Sequence, residues 1–132
     1  MTGILVITHA KLGRELVNAA EFILGKIDNL ETIAVEGTPE VEHLKRMLSS
    51  SLERLDQGQG VIVLTDMFGG TPNNISLAFL KPGQVEVVTG INLPMLIKAA
   101  TARKKLGIDK LGKVVAEAGR GAISVASDIL SS

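Results

Sequence analysis

This sequence predicts an α/β domain in which helices cover both faces of a mostly parallel sheet. Three observations carry that expectation. Strand-like and helix-like segments alternate from end to end of the 132 residues. The main strand-like segments are continuous apolar runs, as in strands buried on both faces. Strand ends empty into His9, Asp66 or glycine just before a helix begins, and in such sheets ligands sit beyond the carboxyl ends of the strands. Strand order does not follow from this pattern.

Residues 3–8, Gly3-Ile4-Leu5-Val6-Ile7-Thr8, form the first apolar run. Leu12, Leu16, Ala20, Ile23 and Leu24 recur at helical spacing and Gly25 is a stop. Leu30 to Val35 is a second, weaker strand. Thr38-Pro39-Glu40 predicts a helix start with a cap, a proline at the first helical position and an acid in the first turn. The apolar face of that helix is Val41, Leu44, Leu48, Leu52 and Leu55, and Gln57-Gly58-Gln59-Gly60 ends it. Val61 to Thr65 is the third strand. Thr71-Pro72 repeats the cap-plus-proline signal for a short helix to about Leu80, and Lys81-Pro82-Gly83 turns the chain. Val85 to Thr89 is the fourth strand, followed by a helix from Asn92 to about Leu106. A further short helix after Asp109 has Leu111, Val114, Val115 and Ala118 inward and breaks at Gly119-Arg120-Gly121. Ala122 to Ala126 reads as a last strand.

Composition narrows the function classes. The length suits a single domain spanning residues 1–132 with a packed core. Lys plus Arg and Asp plus Glu both number 14, which argues against a surface built to neutralise nucleic-acid phosphates or anionic lipid. Three Phe and no Trp or Tyr leave little for base stacking. Cysteine is absent, which fits a reducing compartment. No apolar run approaches the roughly 18 residues that span a bilayer. The N-terminus lacks a basic region followed by a hydrophobic stretch. The expectation is a soluble cytoplasmic protein.

Two strand ends carry the chemistry. The first empties into His9, the third into Asp66-Met67-Phe68-Gly69-Gly70-Thr71-Pro72-Asn73-Asn74. If the two strands are parallel neighbours, His9 and Asp66 emerge on one edge. A neutral imidazole is a good nucleophile near pH 7 when a carboxylate holds its other nitrogen. Asp66 suits that role better than Asp28, Asp56 or Asp109, which sit in turns or at helix ends. On spacing alone His9 is as readily a polar strand end. Gly69-Gly70 lets backbone amides approach an anion, and Thr71 is both a candidate N-cap and a hydroxyl for a phosphoryl oxygen. The same glycines also fit an ordinary strand-to-helix turn. No Walker lysine and no G-x-G-x-x-G is present, which disfavours a nucleotide loop. His43 reads as a solvated helix residue. Lys11 and Arg14 lie at a helix start after His9, where they can attract a phosphorylated partner. Lys98, Arg103, Lys104 and Lys105 read as cations complementing a helix C-terminus. No His/Asp/Glu cluster has metal-ligand spacing.

Three motifs in this order resemble one family. They are Ile7-Thr8-His9, the Asp66–Asn74 stretch, and Thr89-Gly90-Ile91-Asn92-Leu93-Pro94-Met95-Leu96. From residue 1 to about 126 the chain resembles the enzyme IIA component of the mannose/fructose/sorbose class of bacterial sugar phosphotransferase systems. The resemblance implies that His9 accepts a phosphoryl group on Nε2 from the phosphocarrier HPr and passes it to an enzyme IIB partner. It implies that Asp66 hydrogen-bonds Nδ1 of His9, and that Gly69, Gly70, Thr71 and the amide of Ala10 bind the phosphoryl group. Family members usually carry glycine where Ala10 stands. The implied fold is a three-layer α/β sandwich with four parallel strands, dimerising by exchange of an antiparallel C-terminal edge strand, here roughly Gly121 to Ala126. No metal or organic cofactor is implied. No fused IIB domain falls within these residues, so the IIB partner is expected to be a separate protein or missing altogether, and sugar specificity in such systems belongs to the IIB and membrane components. Rival readings are a free-standing regulator sensed through its phosphorylation state, a module that binds a phospho-ligand without a covalent step, and a receiver-like domain phosphorylated on Asp66. The last is disfavoured because Thr8-His9 stands where receivers carry a magnesium-binding acidic pair. The phosphotransfer subunit of dihydroxyacetone kinase shares the fold, but its loop is less like Phe68-Gly69-Gly70-Thr71-Pro72.

Overall fold

The computed structural model describes residues 1–67 and 69–131. Phe68, part of the glycine-loop motif, lies outside the described residues. The strands are β1 (Gly3–His9), β2 (Leu30–Val35), β3 (Val61–Thr65) and β4 (Val85–Thr89). They pair in parallel in the order β2-β1-β3-β4. The helices are α1 (Leu12–Leu24), α2 (Val41–Leu55), α3 (Thr71–Leu77), α4 (Leu93–Ala102), α5 (Ile108–Gly121) and the short α6 (Ala126–Leu130).

Strand alternation explains the layers. Successive side chains of a strand point to opposite faces. Ile4, Val6, Ile62 and Leu64 point to one side and pack on Val17 and Ala20 of α1, Leu96 and Ala99 of α4, and Leu111 and Val115 of α5. Leu5, Ile7, Val61 and Val63 point to the other and pack on Leu44, Leu48 and Leu55 of α2 and Ile75 of α3. Each such side chain contributes on the order of 1.5–3 kcal/mol on burial. That is why the apolar runs are continuous. The chain leaves β1 for β2 on one side, while β3 lies on the other. The C-terminal ends of β1 and β3 therefore flank the point where the winding reverses, the usual place for a ligand in an open α/β sheet.

Several expected boundaries shift for local reasons. The buried face of α1 is Gly13, Val17 and Ala20, whereas Leu12, Ile23 and Leu24 are exposed. Gly13 allows this rotation, because a Cβ there would lie 2.8 Å from Val6 Cγ1. Helix α2 begins at Val41, not at Pro39, because the chain uses Gly37 (φ 64) through Glu40 to turn out of β2. Helix α4 stops at Ala102 rather than near Leu106. Helix α5 runs through Gly119 instead of breaking there. A Cβ on Gly119 would lie 2.5 Å from Met95 Cγ, so this glycine serves the close approach of α4 and α5. Arg103 is not a solvated helix-end cation. It is buried, and its guanidinium donates to the carbonyls of Thr2, Asp28 and Asn29, tying α4 to the starts of β1 and β2. Burial pulls its pKa down, against the attraction of Asp28.

The expected strand over Ala122–Ala126 is absent from the single chain. Ala122 closes α5, residues 123–125 join no ladder among the described residues, and α6 follows. A strand has no backbone partner unless an edge is offered to it, and within this chain the sheet ends at β4. Ile123, Val125 and Leu130 are left exposed. Among the described residues no helix is long and apolar enough to cross a membrane.

Candidate active site

His9 is the last residue of β1. Immediately after it, Ala10 turns the chain with a left-handed φ of 48° and donates its N–H to Val35 O at 2.8 Å. The buried Thr8 hydroxyl accepts from Gly13 N at 2.8 Å, which fixes the start of α1 against the end of β1. The His9 side chain is 48% exposed, so the ring stands on an open rim rather than in a cavity.

Asp66 follows the last residue of β3, and strand pairing of β1 with β3 brings it to His9. Its Oδ2 accepts from the His9 backbone N–H at 2.9 Å and lies 2.8 Å from His9 Nδ1. Its Oδ1 accepts from Met67 N at 3.0 Å. The carboxylate is far less accessible than the ring, with 10% of its side chain exposed. Burial by itself would raise its pKa. The hydrogen bonds from the His9 backbone and ring, the charge of His9 and the local backbone bond outweigh burial and hold the pKa below the ordinary value of 3.8. An ionised carboxylate can only accept, so the ring proton resides on Nδ1 and the Nε2 lone pair is left outward.

The glycine loop closes on that outward edge. A Cβ on Gly70 would lie 2.7 Å from His9 Cε1 and 3.3 Å from Nε2, so glycine lets the loop pack here without displacing the imidazole. Gly69 adopts φ 84°. Asn74 pins the loop, its N–H donating to Gly70 O at 2.9 Å and its Nδ2 to Gly69 O at 3.3 Å. The expectation that Thr71 caps α3 fails. Gly70 is the N-cap, Thr71 is the first helical residue with its side chain exposed, and no side chain caps the helix.

The expected residues thus come together unevenly. His9, Asp66 and Gly70 meet in space, with Thr71 next along the chain. Ala10 adjoins His9, but its N–H is engaged by Val35. Lys11 and Arg14 are exposed at the start of α1 beside the rim, and His43 is exposed on α2. The Thr89–Leu96 motif has a structural use: Asn92 Oδ1 accepts from Met95 N at 3.0 Å to cap α4, and its Nδ2 donates to Gly119 O at 3.2 Å. Asn73 and Asn74 belong to the Asp66–Asn74 motif, but the sequence pattern gives them no role of their own. Two side-chain amides directly after a proline in a first helical turn were the available signal. Among the described residues no three His, Asp or Glu side chains cluster to hold a metal ion.

Comparison with known proteins adds an independent line. A family model described as "PTS system fructose IIA component" matches residues 3–116. The chain is 32% identical over 119 residues to the PTS system mannose-specific EIIAB component of Escherichia coli strain K12, covering 89% of this chain and 37% of that protein. It therefore spans little more than a third of the length of that relative. It is 30% identical over 111 residues to the PTS system sorbose-specific EIIA component of Lacticaseibacillus casei, covering 82% of this chain and 78% of that one. Among solved structures, the PTS IIA protein associated with the fucose utilization operon of Streptococcus pneumoniae superposes with a TM-score of 0.84 at 29% identity, covering 97% of this chain and 96% of that chain. The phosphotransferase system component EIIA of Streptococcus agalactiae has the same fold, with a TM-score of 0.88 at 24% identity over 97% of this chain and 99% of that chain.

Proposed function

This chain belongs to the mannose/fructose-type IIA family of bacterial phosphotransferase systems, and from that premise we propose that it carries a phosphoryl group on Nε2 of His9. It takes the group from HPr and delivers it to a IIB protein. The observation that carries this reading is the clamp on His9: one oxygen of Asp66 holds both its backbone N–H and its Nδ1, at 2.9 and 2.8 Å.

The chemistry follows from the clamp. The Nε2 lone pair forms the N–P bond as the bond from phosphorus to the donor breaks, and the donor keeps that electron pair. The ring becomes a phosphoimidazolium whose Nδ1 proton stays put, and the Asp66 carboxylate stabilises the positive charge. Positioning and stabilisation of the three equatorial oxygens do most of the work in such a transfer. The backbone around Gly69 and Gly70 and the exposed Thr71 hydroxyl are suited to it. The Gly70 N–H makes a long 3.4 Å bond to Met67 O, which a phosphoryl oxygen can replace. Ala10 contributes through its bend.

An open rim suits a protein partner better than a small substrate. Leu12 and Met67, both exposed, offer apolar contact beside His9, with Lys11 and Arg14 adding charge. The edge strand β4 borders a groove of about 560 Å³ lined by Glu86, Thr89, Gly112, Lys113 and Arg120. We assign this groove to the antiparallel C-terminal strand of a second copy, contributed by residues near Gly121–Ala126. The protein then works in the cytoplasm as a homodimer.

The test is intact mass after incubation with phosphoenolpyruvate, enzyme I and HPr. One added phosphoryl group per chain is expected, lost in acid and stable in base, and absent from His9→Ala. No added mass would leave a non-covalent binding module. A group lost in base or to hydroxylamine would move the modification to a carboxylate.

A further inference from the structure

The glycine-loop motif contains a residue that the proposed transfer does not use. Asn73, in the first turn of α3, is fully buried. Its Oδ1 accepts two hydroxyl protons, from Thr65 at 3.2 Å and from Thr89 at 2.6 Å. Its Nδ2 is buried without a hydrogen-bond partner among the described residues.

The two threonines are the last residues of β3 and β4. Thr65 directly precedes Asp66, and its carbonyl accepts from both Gly90 N and Ile91 N at 2.9 Å. One carboxamide oxygen therefore joins three segments: the strand end that releases Asp66, the neighbouring strand end, and the helical turn that follows the glycine loop. Apolar side chains at all three positions, 65, 73 and 89, would fill this place without burying an unpaired N–H, which costs stability. Retaining an amide there makes sense if position matters more than stability.

We propose that Asn73 is a positioning residue for phosphoryl transfer. It does not touch the phosphoryl group or the protein partners. It holds Asp66 and the loop in register with His9, so that the ring proton stays on Nδ1 and Nε2 faces the loop. This inference rests on the phosphoryl-carrier reading given above.

The test compares wild type with Asn73→Ala, Thr65→Val and Thr89→Val, the last two near-isosteric losses of one hydroxyl each. Two quantities are read. The first is the transfer rate from phosphorylated HPr, separated into kcat and KM. The second is the ¹⁵N signature of the His9 ring at a pH where the imidazole is neutral, which reports the tautomer without any transfer. Asn73→Ala should lower kcat about tenfold, less than the roughly 10²-fold that a 1 Å misplacement can cost. KM should stay unchanged, because the residue is buried. Its ring signature should shift from the Nδ1–H form toward the Nε2–H form, and each valine variant should shift it partway. A folded Asn73→Ala with wild-type kcat and an unaltered ring signature overturns the proposal. So does a loss that only tracks the unfolded fraction, measured against a Val17→Ala control on the opposite sheet face. If Asn73→Ala does not fold, the half-buried Thr89→Val decides alone: an unaltered signature and kcat overturn the proposal. Should wild type take no phosphoryl group, the carrier reading fails, while the ring signatures still decide whether Asn73 sets the state of His9.

Discussion

Asp66 Oδ2 holds His9 twice, through the backbone N–H at 2.9 Å and through Nδ1 at 2.8 Å, across 57 residues of sequence. The backbone bond places the end of β1, and the ring bond sets the rotamer and the tautomer. A single oxygen thus fixes where the imidazole is and which of its nitrogens is engaged.

Replacing Asp66 by Asn keeps an acceptor but removes the charge. Transfer to His9 is expected to fall about 10²-fold, because the phosphoimidazolium loses its counter-charge. Stability should fall by only about 1 kcal/mol, the difference between a charged and a neutral hydrogen bond. Rapid-quench transfer assays beside chemical denaturation measure both, and equal transfer rates for the two proteins would refute the role given to Asp66.

Gly70→Ala puts a methyl group 2.7 Å from the placement of His9 Cε1. The ring is exposed and can swing away, so the cost in stability should stay under about 1 kcal/mol. The swing breaks the Nδ1 bond to Asp66. Transfer should drop about as far as in Asp66→Asn, and the double variant should be no worse than the singles. Additive losses would show that the two residues act separately.

Ala10 sits at φ 48°, a region that disfavours any residue with a Cβ. Ala10→Gly removes that strain but gives the unfolded chain more freedom. A net gain of roughly 0.5–1 kcal/mol is expected from urea denaturation at unchanged m-value. A loss of stability would mean that the bend is held by more than the backbone.

The acid limb of stability follows from the depressed pKa of Asp66. Its folded value lies below the ordinary 3.8, so its contribution is present above about pH 4 and disappears as the pH falls through the folded value. Glu31 acts in the same direction: its hydrogen bond from Arg54 leads the causes that hold it below 4.5, against burial. Unfolding free energies measured from pH 7 downward should therefore decline more steeply in wild type than in Asp66→Asn, the curves converging only once the pH has fallen below the depressed pKa of folded Asp66. Parallel curves would contradict the shift.

Deleting residues 123–132 removes the exposed Ile123, Val125 and Leu130. Sedimentation should show a dimer for the whole chain and a monomer for the shortened one. The four-stranded sheet should survive, since none of its core side chains lies in that segment.

Much of the protein was legible in the linear sequence because the signals are local. Strands buried on both faces read as the runs Ile4–Ile7 and Val61–Leu64, and His9 and Asp66 stand just past where those runs stop. The segments misjudged are those decided by what packs on them. The face of α1 depended on Gly13 fitting against Val6, the passage of α5 through Gly119 on Met95, and the fate of Arg103 on carbonyls 74 to 101 residues away.

The sequence by itself determined the α/β class, the two strand-end groups His9 and Asp66, and the glycines after them, since period and position are properties of neighbouring residues. Only the tertiary structure decided that β1 lies beside β3, that one oxygen of Asp66 reaches both donors of His9, and that Asn73 binds Thr65 to Thr89. Strand pairing and buried hydrogen bonds join residues far apart in the chain. Their partners are selected by the packing of the whole sheet and its two helical layers.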